Sequence, residues 1–243
     1  MKHVVALSGG KDSTALALRL RDLHPKIDFT YICTPTGNEL PEMFAHWRRL
    51  GELLGKPITP IMHTTGLIGV IRQEQAIPNF RQRFCTRILK IEPYRRWLAA
   101  NTPCVSYVGL RADEEGRAGG AYDDIPGIEM RFPLREWGWN EDDVLAYLEM
   151  RGVCIPARTD CAWCYHQKIG EWWNLWAYYP DEWTAGEAIE REIGHTFRTP
   201  GRDTWPTSMA DLRAEFESGR VPRTVQEGPD GWRHVGACRV CTL

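Results

Sequence analysis

The chain has 243 residues, 43% hydrophobic and 26% charged, with a net charge of −2. That length suits one large α/β domain or one domain with a small appendage, and the balance is that of a soluble globular protein. No apolar run reaches bilayer length and the first residues lack signal-peptide organisation, so a cytoplasmic chain without a membrane partner is expected; the near-neutral charge excludes a global basic field for nucleic acid.

His3-Val4-Val5-Ala6-Leu7 is a short apolar run ending in Ser-Gly-Gly, the pattern of a buried parallel strand. A helix is predicted over 13–23, from apolar residues at Ala15, Leu16, Leu18, Leu20 and Leu23. A strand over 28–33, a helix over 41–54 with Pro41 in its first turn, and a strand over 58–62 follow. Residues 67–74 read as a short helix and 75–84 as a loop. A helix over 86–100 has Thr86 as its expected cap. A strand over 104–110 leads into the Gly- and Asp-rich stretch 111–128, read as a mobile loop over a site. A strand at 130–132 and a helix over 140–150, capped by Asn140 with Asp143 three residues on, complete the pattern.

Alternating strands and helices predict an α/β fold, a doubly wound parallel sheet. The strand signal stops near Gly152. The expected division is a nucleotide-binding α/β domain over 1–152 and a C-terminal helical appendage, rich in Cys and Trp, over 153–243.

A strand, then Ser8-Gly9-Gly10-Lys11-Asp12-Ser13, then a helix is a design for anions. Glycines let backbone N–H groups close on phosphate, and the helix adds free donors and the positive end of its dipole. Ser8 and Ser13 offer hydroxyls. Asp12 belongs beside phosphate only if a divalent cation lies between them, which assigns it to Mg²⁺. Lys11 either neutralises phosphate or faces solvent. Neither the Gly-x-x-x-x-Gly-Lys-Ser/Thr loop nor the Gly-x-Gly-x-x-Gly fingerprint is present.

This hexapeptide resembles the signature of the PP-loop ATP pyrophosphatases. Thr36-Gly37-Asn38-Glu39-Leu40-Pro41-Glu42, Arg83-Phe84-Cys85-Thr86-Arg87 with Lys90-Ile91-Glu92-Pro93, Gly109-Leu110-Arg111-Ala112-Asp113-Glu114 with Arg117, and Phe132-Pro133-Leu134 with Trp137 are similar, in that order, to segments of the PAPS (phosphoadenosine phosphosulfate) reductase-like branch. The resemblance implies ATP held by Ser8–Ser13, Thr36, Gly37, Gly109 and Arg111. It implies α-phosphate chemistry, in which an acceptor attacks ATP and pyrophosphate leaves. Lys11, Asp12, Arg111 and Arg117 are then the catalytic candidates. The acceptor is a small molecule or an RNA base, and a homodimer stays open.

The chain departs from a true reductase at two places. The loop keeps the intact Ser-Gly-Gly-Lys-Asp-Ser form, which implies a full triphosphate. The tail, Gly236-Ala237-Cys238-Arg239-Val240-Cys241-Thr242-Leu243, lacks the Glu-Cys-Gly-Leu-His type motif carrying the reductases' nucleophile. Two alternatives stand beside the ATP enzyme: a sulfonucleotide (PAPS or APS) reductase, and a non-catalytic ATP-binding accessory protein of a phage or defence system.

Eight cysteines in a cytosolic chain point to metal ligands, catalytic thiols or core residues rather than disulfides. Cys161-x-x-Cys164 and Cys238-x-x-Cys241 together supply the four thiolates of a structural Zn²⁺ site. A rival set, implied by the resemblance, joins Cys85 to Cys161 and Cys164 around a [4Fe–4S] cluster. Unliganded thiols are the third reading, and Cys33 and Cys104 are read as core. Arg72, Arg81, Arg83, Arg87, Lys90, Arg95 and Arg96 form either a phosphate-gripping cluster or a solvated helix face. Trp163, Tyr165, Trp172, Trp173, Trp176, Tyr178, Tyr179 and Trp183 form either a nucleobase platform or, as favoured, the core of a helical subdomain.

Overall fold

A computed structural model describes residues 1–117, 122 and 124–225. Five strands form one parallel sheet: β1 (Lys2–Ala6), β2 (Phe29–Cys33), β3 (Ile58–Pro60), β4 (Cys104–Tyr107) and β5 (Ile128–Arg131). The order across the sheet is β3-β2-β1-β4-β5. The chain winds outward from β1 through β2 to β3, then returns to place β4 on the other flank of β1. The carboxyl ends of β1 and β4 therefore open a crevice where the winding reverses, the place where open α/β sheets bind ligands.

Strand alternation divides the core. Val5 and Leu7 pack with α1 (Lys11–Leu23) and α7 (Glu141–Met150) through Leu16, Leu20, Val144 and Leu148. Val4 and Ala6 face the other side, against Tyr94 and Leu98 of α5 (Glu92–Ala100). Both faces being covered explains why these strands read as continuous apolar runs.

The remaining helices are α2 (Pro41–Leu54), α3 (Gly66–Glu74), α4 (Phe84–Thr86), α6 (Pro133–Glu136), α8 (Ile169–Tyr178), α9 (Pro180–Ile193) and α10 (Met209–Glu217). A π-helical turn, Arg87–Ile91, joins α4 to α5. The helix predicted from Thr86 thus starts two residues earlier. Thr86 is no cap, because it is buried inside the helix, with helical φ and ψ. The helix predicted from Ser13 starts at Lys11: Gly9, at φ +91°, completes the turn out of β1, so Lys11 and Asp12 are already helical.

Trp163, Trp172 and Trp183 are buried with Phe197, Leu212 and Phe216, and also with Leu67, Val70 and Leu89 from the earlier half of the chain. The aromatic residues of the C-terminal region therefore build a core, as favoured. Cys33 and Cys104 are buried, as read. Among the described residues, no helix is long and apolar enough to cross a membrane. Arg72, Arg87 and Arg95 pair at the surface with Glu192, Glu92 and Asp124, which favours the solvated-face reading for these three.

Candidate nucleotide site at the β1–β4 crevice

The Ser8–Ser13 segment is a prebuilt loop. Ser8 and Ser13 hydroxyls lie 3.0 Å apart, the Gly9 N–H donates to Ser13 Oγ (3.1 Å), and the Gly10 N–H donates to Ser8 Oγ (3.3 Å). A Cβ at Gly9 would lie 2.6 Å from Trp47 Nε1. Only glycine therefore fits, by conformation and by space. Two residues of α2 support the loop from below. Trp47 Nε1–H donates to the Ser8 carbonyl (3.0 Å), and His46 Nε2–H donates to the Gly9 carbonyl (2.9 Å). Burial pushes the His46 imidazole down to about 4, so it is neutral at physiological pH.

Lys11 is buried rather than solvent-facing, with 2% of its surface exposed. Its ammonium lies 3.5 Å from Asp12 and 3.3 Å from Glu141. Arg111, also buried, contacts Asp12 (3.1 Å), Asp113 (2.9 Å) and Glu141 (4.0 Å). Burial works against the Arg111 charge, but the Asp113, Asp12 and Glu114 carboxylates more than offset it. Burial also pushes the Asp12 carboxyl above its ordinary range, against the pull of Lys11 and Arg111. Asp12 Oδ1 is buried and lacks a hydrogen-bond partner among the described residues. A carboxylate oxygen left bare beside an anion loop fits a divalent cation, which takes oxygen ligands.

Gly109 brings the end of β4 against α1; a Cβ there would lie 3.1 Å from the Asp12 carbonyl carbon and the Ser13 nitrogen. Glu114 links Arg117 to this loop, so Arg117 joins the site through Glu114. The predicted mobile stretch is fastened at its described start. Arg135 donates to the backbone carbonyls of Arg111 (3.3 Å), Glu114 (2.8 Å) and Arg117, and the Ala112 N–H donates to the Trp139 carbonyl (2.9 Å). Next to Trp139, the expected capping box forms: Asn140 Oδ1 accepts from Asp142 and Asp143, and Asp143 accepts from the Asn140 N–H. That cap sets Glu141 at the first position of α7, facing Lys11. Sequence reasoning missed His46, Trp47, Arg135 and Glu141, which lie outside the loop motifs.

Thr36 sits beyond β2. Its N–H and hydroxyl both donate to Glu39 Oε1 (2.6 and 2.7 Å), and the Gly37 N–H donates to Glu39 Oε2 (3.0 Å). The same turn grips the Cys-x-x-Cys loop: the Ala162 N–H donates to the Asn38 carbonyl (2.6 Å) and the Trp163 N–H to Asn38 Oδ1 (3.1 Å).

Cys85, Cys161 and Cys164, the rival set around a cluster, line one cavity with Thr36, Thr86 and Lys90. Its free space is about 20 Å³, room for little more than one water. Among the described residues, no three His, Cys, Asp or Glu side chains are placed to hold a metal ion. As placed, the thiols do not fit a [4Fe–4S] cluster. A hydrogen bond donated by the Cys164 thiol to Cys161, together with burial, pushes Cys164 well up, and burial pushes Cys85 up, so both stay protonated. Cys238 and Cys241, the other half of the Zn²⁺ reading, lie outside the described residues.

The chain is similar in part to several known proteins. Argininosuccinate synthases of Geobacillus sp. (strain WCH70) and Bacillus licheniformis are 26% identical over 104 residues and 33% identical over 60 residues. Those stretches cover 43% and 25% of this chain, but only 24% and 15% of the relatives' own length. Among solved structures, the phosphoadenylyl-sulfate reductase of Candida auris matches with a TM-score of 0.47 at 15% identity, over 64% of this chain and 75% of that one. The U34-tRNA thiolase NcsA of Methanococcus maripaludis, solved with its [4Fe-4S] cluster, matches with a TM-score of 0.49 at 19% identity, over 80% of this chain and 73% of that one. Residues 2–157, more than half of the chain and including every strand of the sheet, match the family profile of the phosphoadenosine phosphosulfate reductase domain, and the chain belongs to that family.

Proposed function

We propose that the chain binds ATP with Mg²⁺ in the β1–β4 crevice and cleaves it between the α- and β-phosphates. The observation that carries this reading is the Ser8–Ser13 loop with Asp12 in its first helical turn, one carboxylate oxygen bare, between the buried cations Lys11 and Arg111. Asp12 would hold the Mg²⁺, which supplies neutralisation of phosphate charge. The Gly9 and Gly10 backbone and the N-terminus of α1 cradle the phosphates. An acceptor oxygen attacks the α-phosphorus, the bond to the bridging oxygen breaks, and its electron pair leaves with pyrophosphate. Lys11 and Arg111 stabilise the charge gathering on the leaving group, and Arg117 holds the Arg111 loop through Glu114. The product is AMP, or an adenylated small molecule or RNA base. No step runs through a metal at the cysteines.

A second reading, sulfonucleotide reduction, is favoured by the convergence of Cys85, Cys161 and Cys164 beside Thr36. Competition binding separates the two. ATP with Mg²⁺ is expected to bind, and phosphoadenosine phosphosulfate to displace it only weakly. Preferential binding of the sulfonucleotide, with sulfite released from it by the dithiothreitol-reduced protein, would establish the reductase instead. ATP binding without any turnover would favour the accessory-protein reading.

A further inference from the structure

The two cations beside the phosphate loop are already paired with carboxylates. Lys11 and Arg111 supply the positive charge, and Asp12, Asp113 and Glu141 lie within ion-pair distance of them. Arg117 and Glu114 add a pair that cancels. The cations built to meet a polyphosphate are therefore already neutralised by carboxylates without one. A nucleotide free of metal would bring its negative charges against those carboxylates in a partly buried site, where charges are poorly screened. A nucleotide complexed with a divalent cation brings less net charge, and its cation faces the bare Asp12 Oδ1.

The three carboxylates are not equivalent. Asp12 is locked into the first turn of α1 and touches both cations. Asp113 touches Arg111 from the following loop. Glu141 bridges Lys11 (3.3 Å) and Arg111 (4.0 Å) from a different element, and 47% of its side chain is exposed. It can swing into water as phosphate arrives, and the Asn140 capping box keeps its backbone in place.

We infer that Glu141 is a specificity-determining residue: its carboxylate neutralises Lys11 and Arg111 in the empty site and so restricts entry to nucleotide complexed with a divalent cation. This rests on the nucleotide reading of the crevice. Glu141 is the gate, and Asp12 is the group that a cation satisfies.

The test is calorimetric binding of α,β-methylene-ATP, whose α–β bridge cannot be cleaved, with excess Mg²⁺ and with EDTA. The wild type is expected to bind well with Mg²⁺ and poorly with EDTA. Glu141→Gln is expected to bind about 10-fold more tightly in EDTA, with affinity in Mg²⁺ changed by less than about 3-fold. Glu141→Asp keeps the charge and is expected to retain the wild-type metal dependence, which separates a charge effect from a packing one. Equal binding of wild type and Glu141→Gln in EDTA would overturn the proposal. So would loss of binding in Mg²⁺ by Glu141→Gln with an unchanged thermal melt, which would make Glu141 a metal ligand. Tight wild-type binding in EDTA would overturn it and leave the nucleotide reading standing. No wild-type binding in either condition would remove both.

Discussion

His46 shows how one residue carries a constraint that its own surroundings in the sequence hide. It lies 37 positions from the Gly9 carbonyl that it supports. An imidazole ordinarily titrates near 6.5, and here burial pushes it down to about 4. The unfolded chain takes up a proton below 6.5 that the folded chain refuses until about 4. The His46 contribution is therefore complete above 6.5 and is lost as pH falls toward 4, by up to about 3 kcal/mol. Urea melts at about pH 7.5 and about pH 5 should show this loss, and His46→Gln, which keeps a donor without titrating, should shrink it. An equal pH dependence in the variant would remove His46 as the cause. Ser8–Ser13, Gly109 and Arg111 were legible because their chemistry is local: glycines for backbone approach, a carboxylate that needs a cation. His46, Trp47 and Glu141 were not, because each reaches the loop from a distant element and is an ordinary helical residue in its own neighbourhood.

At the level of elements, the buried strands and amphipathic helices were readable from periodicity, and the errors sit at the ends. The run over 104–110 is mostly apolar, yet β4 stops at Tyr107, where its pairing with β5 ends. The helix read from Thr86 starts at Phe84 and widens into a π-turn, which side-chain spacing does not reveal. The start of the 111–128 stretch looked free because Gly and Asp dominate its composition. Its anchor, Arg135, sits beyond β5 in the short helix α6, which was not foreseen. Arg135→Met removes donors to three carbonyls while keeping most of the side-chain bulk. The amides of 111–117 should then exchange faster with deuterium, and nucleotide affinity should fall by about 10-fold as Arg111 loses its fixed position. Unchanged exchange would show that the Trp139 carbonyl and the ion pairs hold the loop unaided.

For the whole molecule, the strand order puts the two legible motifs side by side: β1 carries the phosphate loop, β4 carries the arginine loop, and the winding reverses between them. The doubly wound parallel sheet was expected from the sequence, whereas the strand order that sets this adjacency was not. The packing of the C-terminal helices was harder to foresee. Trp163, Trp172 and Trp183 share a core with α3 and the π-turn, and Asn38 ties the Cys-x-x-Cys loop to the turn after β2. Such contacts depend on the assembled surface, which composition alone does not specify. The same assembly brings three cysteines around a space too small for a cluster, close to the proposed nucleotide site.

The central claim is that this crevice cleaves ATP at the α–β bond with Asp12 holding the cation. The most direct measurement is phosphorus NMR of ATP and Mg²⁺ incubated with the wild type and with Asp12→Ala. Pyrophosphate and an adenylate signal are expected from the wild type, with a rate at least about 100-fold lower in the variant. ADP with inorganic phosphate, or pyrophosphate release that survives the loss of Asp12, would contradict it.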